Sequence, residues 1–216
     1  MSEKIPGPAY RVLTPRLCIR CWQPSDAAQL KAAVDASREH LKPWMPWAHQ
    51  ETSLQDQIER LRQVRGEFDL GQDFVYGIFN RDESRVLGST GLHTRRGSHA
   101  REIGYWIHVD HIGQGYATET AAALTRAAFE IEGMDRVEIH CDPANLGSAA
   151  IPRKLGYTHE ATLRRRTHWS NGKVEDSMIW SLFAMDYPQS PAAQLEIQAF
   201  DAARRSISLP QQKESI

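Results

Sequence analysis

His108-Val-Asp-His-Ile-Gly-Gln-Gly-Tyr-Ala-Thr-Glu119 decides how the rest of the chain is read. A strand-like run, Glu102-Ile-Gly-Tyr-Trp-Ile107, precedes it, and an alanine-rich, helix-like run from Thr120 to Ile131 follows. Strand, glycine-rich turn and helix in that order gather free backbone N–H groups at one point, because the first N–H groups of a helix have no internal partner. The macrodipole adds roughly half a positive charge there. The turn is therefore a candidate site for phosphate or pyrophosphate. Gly113 and Gly115 omit Cβ atoms that would hold an anion off the backbone, and they permit positive φ. The turn is not a P-loop, since no Gly-Lys-Ser/Thr follows. It also lacks the third glycine and the acidic residue of a dinucleotide fingerprint.

The 216 residues fit one domain with room for an appendage. A net charge of −1 gives no case for nucleic acid or an acidic membrane as partner. No apolar run approaches the roughly 20 residues that span a bilayer, and Met1-Ser-Glu-Lys-Ile-Pro has no signal-peptide core, so a cytoplasmic location is expected. Cys18, Cys21 and Cys141 are an odd count, against a disulfide framework. Cys18 and Cys21 sit in a strand-like run, where residues three apart point to opposite faces. No second C-x-x-C completes a zinc site, so they are read as packing cysteines. The histidines show no i, i+4 ligand pair, and no metal is expected.

Along the chain, residues 1–15 form an irregular lead-in and 16–22 a first strand. A helix opens at Pro24-Ser-Asp, capped by Ser25 or Asp26, and ends before Pro43. Leu41-Lys-Pro-Trp-Met-Pro-Trp-Ala48 is a rigid aromatic loop, either a plug over the core or one wall of a ligand pocket carried by Trp44 and Trp47. A second helix begins at Thr52 or Ser53 with the stripe Leu54, Ile58, Leu61, Val64 and Phe68. Strands follow at Phe74–Asn80, Val86–His93 and Glu102–Val109. Beyond the alanine-rich helix and its end at Gly133 come a strand from Arg136 to Cys141, a helix from Leu146 to Leu155 bent or shortened by Pro152, and strands 157–163 and 174–184. Asn171-Gly172 signals a hairpin turn between the last two. Residues 192–205 look helical and amphipathic, and 206–216 frayed.

With these residues placed, the chain resembles the GCN5-related N-acetyltransferases (GNAT), and within them the RimJ/RimL-type branch that acetylates protein N-terminal amines. The resemblance rests on Leu41-x-Pro-Trp-x-Pro-Trp47, Glu102-Ile-Gly-Tyr-Trp-Ile107, Gly113-Gln-Gly-Tyr-Ala-Thr-Glu119, Asn145-x-x-Ser148 and Leu155-Gly-Tyr157. It implies an α+β fold: a central, mixed, mostly antiparallel, twisted and splayed sheet of about seven strands with helices on both faces. The domain would span 10–187, with 188–216 a helical appendage that either contacts a second copy in a homodimer or hangs loose. Acetyl-CoA would be the co-substrate. The family's leading basic or amide residue of the pyrophosphate motif is replaced here by Ile112. The backbone of Gly113, Gln114, Gly115, Tyr116, Ala117 and Thr118 would still cradle the pyrophosphate. The pantetheine arm would lie between strands 102–109 and 136–141, paired near Ile107 and Val109 and reached by Asn145.

Acetyl transfer to an amine needs a neutral amine, a stabilised carbonyl oxygen and a departing sulfur. A thioester held beside an amine needs no enzyme nucleophile, so Cys141 is not assigned that role. A backbone N–H near Ile107 or His108 would meet the oxyanion. Glu102 is the first candidate for general base, His168 the second, and His93, also a candidate for acceptor binding, the third. By resemblance Ser148 assists the leaving thiolate, with Tyr157 as a fallback. Arg164-Arg165-Arg166 is either a solvated edge or a feature that draws an acidic acceptor or the cofactor's 3′-phosphate. The acceptor is then a peptide or protein N-terminal amine. The alternatives are a small amine, such as an antibiotic or amino acid derivative, and a non-catalytic acyl-CoA sensor.

Overall fold

The structure, a computed structural model, describes residues 8–169 and 172–210. Strands β1 (Arg11–Leu13) and β2 (Leu17–Cys21) lead into helix α1 (Ala27–Leu41) and helix α2 (Leu54–Asp69). Strands β3 (Phe74–Asn80), β4 (Val86–His93) and β5 (Ala100–Ile107) follow, then helix α3 (Tyr116–Glu130) and strand β6 (Arg136–Cys141). Helix α4 (Leu146–Lys154), β7 (Thr158–His168) and β8 (Val174–Phe183) come next, and the short strands β9 (Gln198–Phe200) and β10 (Ser206–Ile207) close the chain. All ten strands join one sheet in the order β10-β9-β1-β2-β3-β4-β5-β6-β8-β7. Every neighbouring pair is antiparallel except β5 with β6.

Two apolar clusters pack against the sheet. The larger draws on several elements: Leu124, Ala127 and Ile131 of the α3 region, Ile151 of α4, Phe68 at the end of α2, and Ile103 and Ile107 of β5. The smaller holds Leu30, Val34 and Leu61 of α1 and α2 against Trp22, Phe79 and Trp106. Alternation along β5 therefore puts Ile103, Tyr105 and Ile107 on one face and Glu102, Gly104 and Trp106 on the other. Cys18 and Cys21 fall in different clusters, both buried and free, as opposite faces require.

Helix α2 starts with Ser53 as cap: its hydroxyl accepts from Asp56 N while the Asp56 carboxylate accepts from Ser53 N. Leu54, expected in the apolar stripe, is 45% exposed as the first residue of the helix. Helix α3 begins at Tyr116, four residues before the expected Thr120, so the glycine turn itself is its cap. Strand β5 ends at Ile107, and His108 and Val109 leave the sheet into a short 3-10 turn. Among the described residues no helix is long and apolar enough to cross a membrane.

The expected helix over 192–205 is absent, and the sheet has ten strands rather than about seven. Pro191 opens a 3-10 turn with Ala192 and Ala193 buried. The chain then runs extended along β1, Val12 opposite Ala199, and turns at Asp201, whose carboxylate accepts from Ala203 N and Arg205 N. Helix-forming composition lost to pairing with the free edge of β1, a tertiary gain that local propensity does not contain. Strands of two or three residues are also too short to show a period of two. The tail is thus part of the core, with Ile207 buried against the larger cluster. We predict that Ile207→Ala destabilises the protein by about 2 kcal/mol or more. Deleting 195–216 should likewise lower the thermal midpoint, whereas a loose appendage would leave it unchanged.

Candidate active site

The parallel ladder between β5 and β6 has four pairs, Ala100 with Arg136 through Ile103 with Ile139. Beyond it β6 keeps only β8, and Gly104–Ile107 keep only β4, so the two strands part and leave a gap. His108 N donates to Leu87 O at 2.8 Å, and Val109 N to the Ser37 hydroxyl at 3.0 Å. Those two N–H groups, both expected to serve a ligand, are occupied. Strand alternation turns the N–H groups of Tyr105 and Ile107 the other way, into the gap.

The glycine turn stands beyond the end of β5. Gly113 and Gly115 have φ of 74° and 81°, left-handed values at which a side chain is strained. The first bond of the helix runs from Glu119 N to Gly115 O, leaving the N–H groups of Tyr116, Ala117 and Thr118 without a helical partner. Arg16, unremarked in the sequence, braces the turn. It donates to Gln114 O at 3.0 Å and to Glu119 at 2.6 Å, and its guanidinium lies 4.7 Å from the Tyr116 ring centre. A cation beside the turn thus comes from β2's approach rather than from position 112, whose isoleucine is exposed.

On the α3–α4 face of the gap, Asn145 caps α4, its Oδ1 accepting from Ser148 N at 3.0 Å. Ser148 Oγ lies 3.2 Å from the Tyr105 hydroxyl, which also reaches the Ser148 carbonyl at 3.4 Å. That carbonyl is available because its helical donor would be residue 152, a proline with no N–H. Pro152 therefore neither ends nor sharply shortens α4; it releases an acceptor that Tyr105 uses. Burial pushes the Tyr105 phenol well above its ordinary range. Burial likewise raises the Cys141 thiol, against a bond from Ser148, which argues against a thiolate nucleophile there. Tyr157 points elsewhere: its hydroxyl bonds Thr125 at 2.6 Å inside the core.

The opposite face carries a cavity of about 320 Å³ lined by Arg95, Arg96, Glu102, His140, Arg166 and Ser177, among others. Glu102 is 5% exposed and bonded to both Arg95 and Arg96. Burial by itself would raise its carboxyl, but the hydrogen bond and charge of Arg95 outweigh this, with Arg96 adding to them, and bring it down to about 2. A carboxylate so weakly basic is poorly matched to general-base work near neutral pH. His140 has both nitrogens engaged, Nδ1 accepting from Arg96 at 3.0 Å and Nε2 donating to Glu138 at 2.7 Å. His93 lies opposite Glu102 across the β4–β5 ladder, with Nδ1 2.8 Å from the Asp73 carboxylate.

The aromatic loop borders the same face. Trp47 packs on Trp106 with ring centres 6.0 Å apart and joins the smaller core cluster, so the plug reading holds for it. Trp44 is half-buried. Lys173 Nζ donates to Pro43 O at 3.3 Å, tying the β7–β8 hairpin to this loop. Strand β7 runs on to His168, which pairs with Val174, so the arginine segment is strand rather than loop. The side chain of His168 and the turn residue Asn171 lie outside the described residues.

Of the residues singled out from sequence, the fold brings Ile107, Ser148, Asn145 and the glycine turn to the α3–α4 side of the gap. It brings Glu102 and His93 to the other side. His108 and Val109 are turned away, and Tyr157 is buried apart. Arg16, Asp73, Arg95, Arg96 and Tyr105 went unread. Arg95 and Arg96, just after a strand end, offered the only local signal; the rest are partnered at long range. Among the described residues no group of His, Cys, Asp and Glu is arranged to hold a metal.

Residues 16–158 match the acetyltransferase (GNAT) domain family. The [ribosomal protein uS5]-alanine N-acetyltransferase of Escherichia coli K12 is 28% identical over 156 residues, 71% of this chain and 80% of that protein. Mycobacterium smegmatis RimJ, solved with a CoA-disulfide, superposes with a TM-score of 0.76 at 23% identity, covering 89% of this chain and 95% of that one. The microcin C7 self-immunity acetyltransferase MccE, solved with acetyl-CoA and AMP, gives 0.72 at 19%, covering 78% and 93%.

Because the folded-state pKa of Glu102 lies below the ordinary 4.5, its stabilisation is complete above that value and is lost as the pH falls through about 2. Glu102→Gln should therefore cost about 2 kcal/mol at neutral pH, the worth of a hydrogen bond to a charged group. Urea unfolding should show the difference from wild type shrinking as the solution is acidified.

Proposed function

The chain belongs to the acetyltransferase (GNAT) family, and from that premise we propose that it moves acetyl from acetyl-CoA to the α-amine of a protein or peptide N-terminus. The observation that carries this reading is the gap between β5 and β6, with the glycine turn, Asn145 and Ser148 on one side and the Glu102 cavity on the other. The residues present fit acetyl-CoA: an N-terminal helix turn with free N–H groups suits a pyrophosphate, and the gap exposes strand edges that an extended amide-bearing arm can pair with. Bound there, it supplies an acetyl group already activated as a thioester.

The chain's own residues then have separate tasks. Gly113 to Thr118, with Arg16 behind them, hold the pyrophosphate. The Ile107 N–H faces the place where negative charge grows on the carbonyl oxygen. Ser148, bonded to Tyr105, is the proton source for the departing sulfur. A thiol of pKa about 8.5 leaves without much help, so Ser148 contributes less than a typical general acid. On the far side, three arginines against one carboxylate disfavour an ammonium ion and favour the neutral amine. An α-amine, with a pKa of about 7.7–8.0, loses its proton far more readily than lysine at about 10.4. The same arginines suit an acceptor with an acidic residue near its N-terminus, and the uS5-alanine relative supports a protein N-terminus as acceptor.

Free-thiol release from acetyl-CoA, followed with short peptides and small amines, tests this. Saturable turnover with peptides, abolished by blocking their N-termini and faster with an acidic second or third residue, is the expected result. Turnover confined to small amines would replace the peptide with a metabolite or antibiotic acceptor, and binding without turnover would indicate a sensor. Ser148→Ala should lower kcat about tenfold, below the about 10²–10⁴ of full acid–base catalysis.

A further inference from the structure

We infer that His93, oriented by Asp73, is the general base that takes the proton from the acceptor amine. The inference rests on the transfer reaction proposed above and adds the residue that reaction still lacks. Glu102 cannot fill the role well while two arginines hold it as a weakly basic anion. His140 has no free nitrogen.

His93 differs from both. The Asp73 carboxylate only accepts, so the 2.8 Å bond makes His93 Nδ1 the donor and leaves Nε2 of the neutral ring as an acceptor. Asp73 is itself fixed by Thr94 N at 3.2 Å. Burial alone would raise the Asp73 carboxyl, but the hydrogen bond from His93, joined by backbone bonds from Thr94 and Phe74, holds it lowered, so it stays an anion beside the ring. The sequence has cleared a place for the imidazole. Gly91 and Gly104 face each other across the β4–β5 ladder, and the ring lies over both. A Cβ at Gly91 would come within 2.7 Å of Nε2, and one at Gly104 within 3.3 Å. Gly104 is also the first β5 residue past the last pair with β6, so Nε2 is set at the mouth of the gap on the cavity side. The charged groups around the ring are Asp73 before β3, Glu102 across the ladder, and Arg95 and Arg96 just beyond β4.

In the step, the amine nitrogen bonds the acetyl carbon as the carbon–sulfur bond breaks. One proton passes from nitrogen to His93 Nε2, directly or through one water, and the imidazolium is held by Asp73 until solvent takes the proton. The sulfur receives its proton from the Ser148–Tyr105 pair, which takes one back from solvent, so the proton lost by the amine is balanced by the one gained by the thiol. No further reactant is needed.

Two readouts test this. The first compares wild type with His93→Ala and His93→Gln on whichever amine the wild type acetylates. The expected result is a fall in kcat/KM of about 10²–10³-fold, unchanged acetyl-CoA affinity by calorimetry, and partial recovery of His93→Ala by added imidazole, which fits the space above the two glycines. The second is side-chain nitrogen NMR of the unliganded protein, which should show His93 as the Nδ1–H tautomer, lost in Asp73→Ala. Wild-type turnover in the His93 variants, loss that imidazole does not restore, or an Nε2–H tautomer in wild type would each overturn the assignment. The choice between peptide and small amine is read from the wild type alone, so that reading can fail without this one.

Discussion

The early parting of β5 from β6 is the constraint on which the rest of the site depends. Four parallel pairs hold the strands together, and past Ile103 each keeps a partner on one side only. Unpaired strand edges inside a protein are costly unless something satisfies them. A sheet that opens in its middle is therefore prepared for an extended ligand with amide groups of its own. The opening also joins the two faces of the sheet, so a donor laid against α3 and α4 can meet an acceptor entering from the side of α1 and α2.

The two faces are furnished with opposite chemistry. On the α3–α4 face the groups are neutral and bonded to one another: Asn145 to Ser148, Ser148 to Tyr105, and Tyr105 to a carbonyl released by Pro152. Such a network fixes rotamers without bringing charge to that side of the gap. On the other face the groups are charged. Glu102, Glu138, Arg95, Arg96 and Arg136 interlock around His140. A buried carboxylate left alone would draw a proton; tied to two guanidiniums it stays ionised and fixes them in turn. Both guanidiniums it binds line the cavity with it.

Much of this was legible in the chain. The order of helices and central strands follows from periodicity and from the cap at Ser53. The left-handed turn that opens α3 follows from two glycines between a strand and a helix. The resemblance to the GNAT family added the splay, which no local pattern states. The misreadings share a cause. The helix expected over 192–205 became strand because the edge of β1 was open, and the resemblance placed His108 and Val109 on the splayed strand, which in fact ends at Ile107. Both depended on partners distant in the chain.

By itself, then, the sequence determined the elements that short-range physics controls: alternation, helix periodicity, caps, and left-handed turns at glycine. Tertiary structure alone decided which side chains meet. Asp73 and His93 are 20 residues apart, Tyr105 and Ser148 are 43, and Arg16 and Gln114 are 98. Asp73, Tyr105 and Arg16 are unremarkable where they stand in the chain. These pairs form only when strand register and helix packing carry their members to the same gap, and register is set by the burial of a whole sheet face rather than by any one residue.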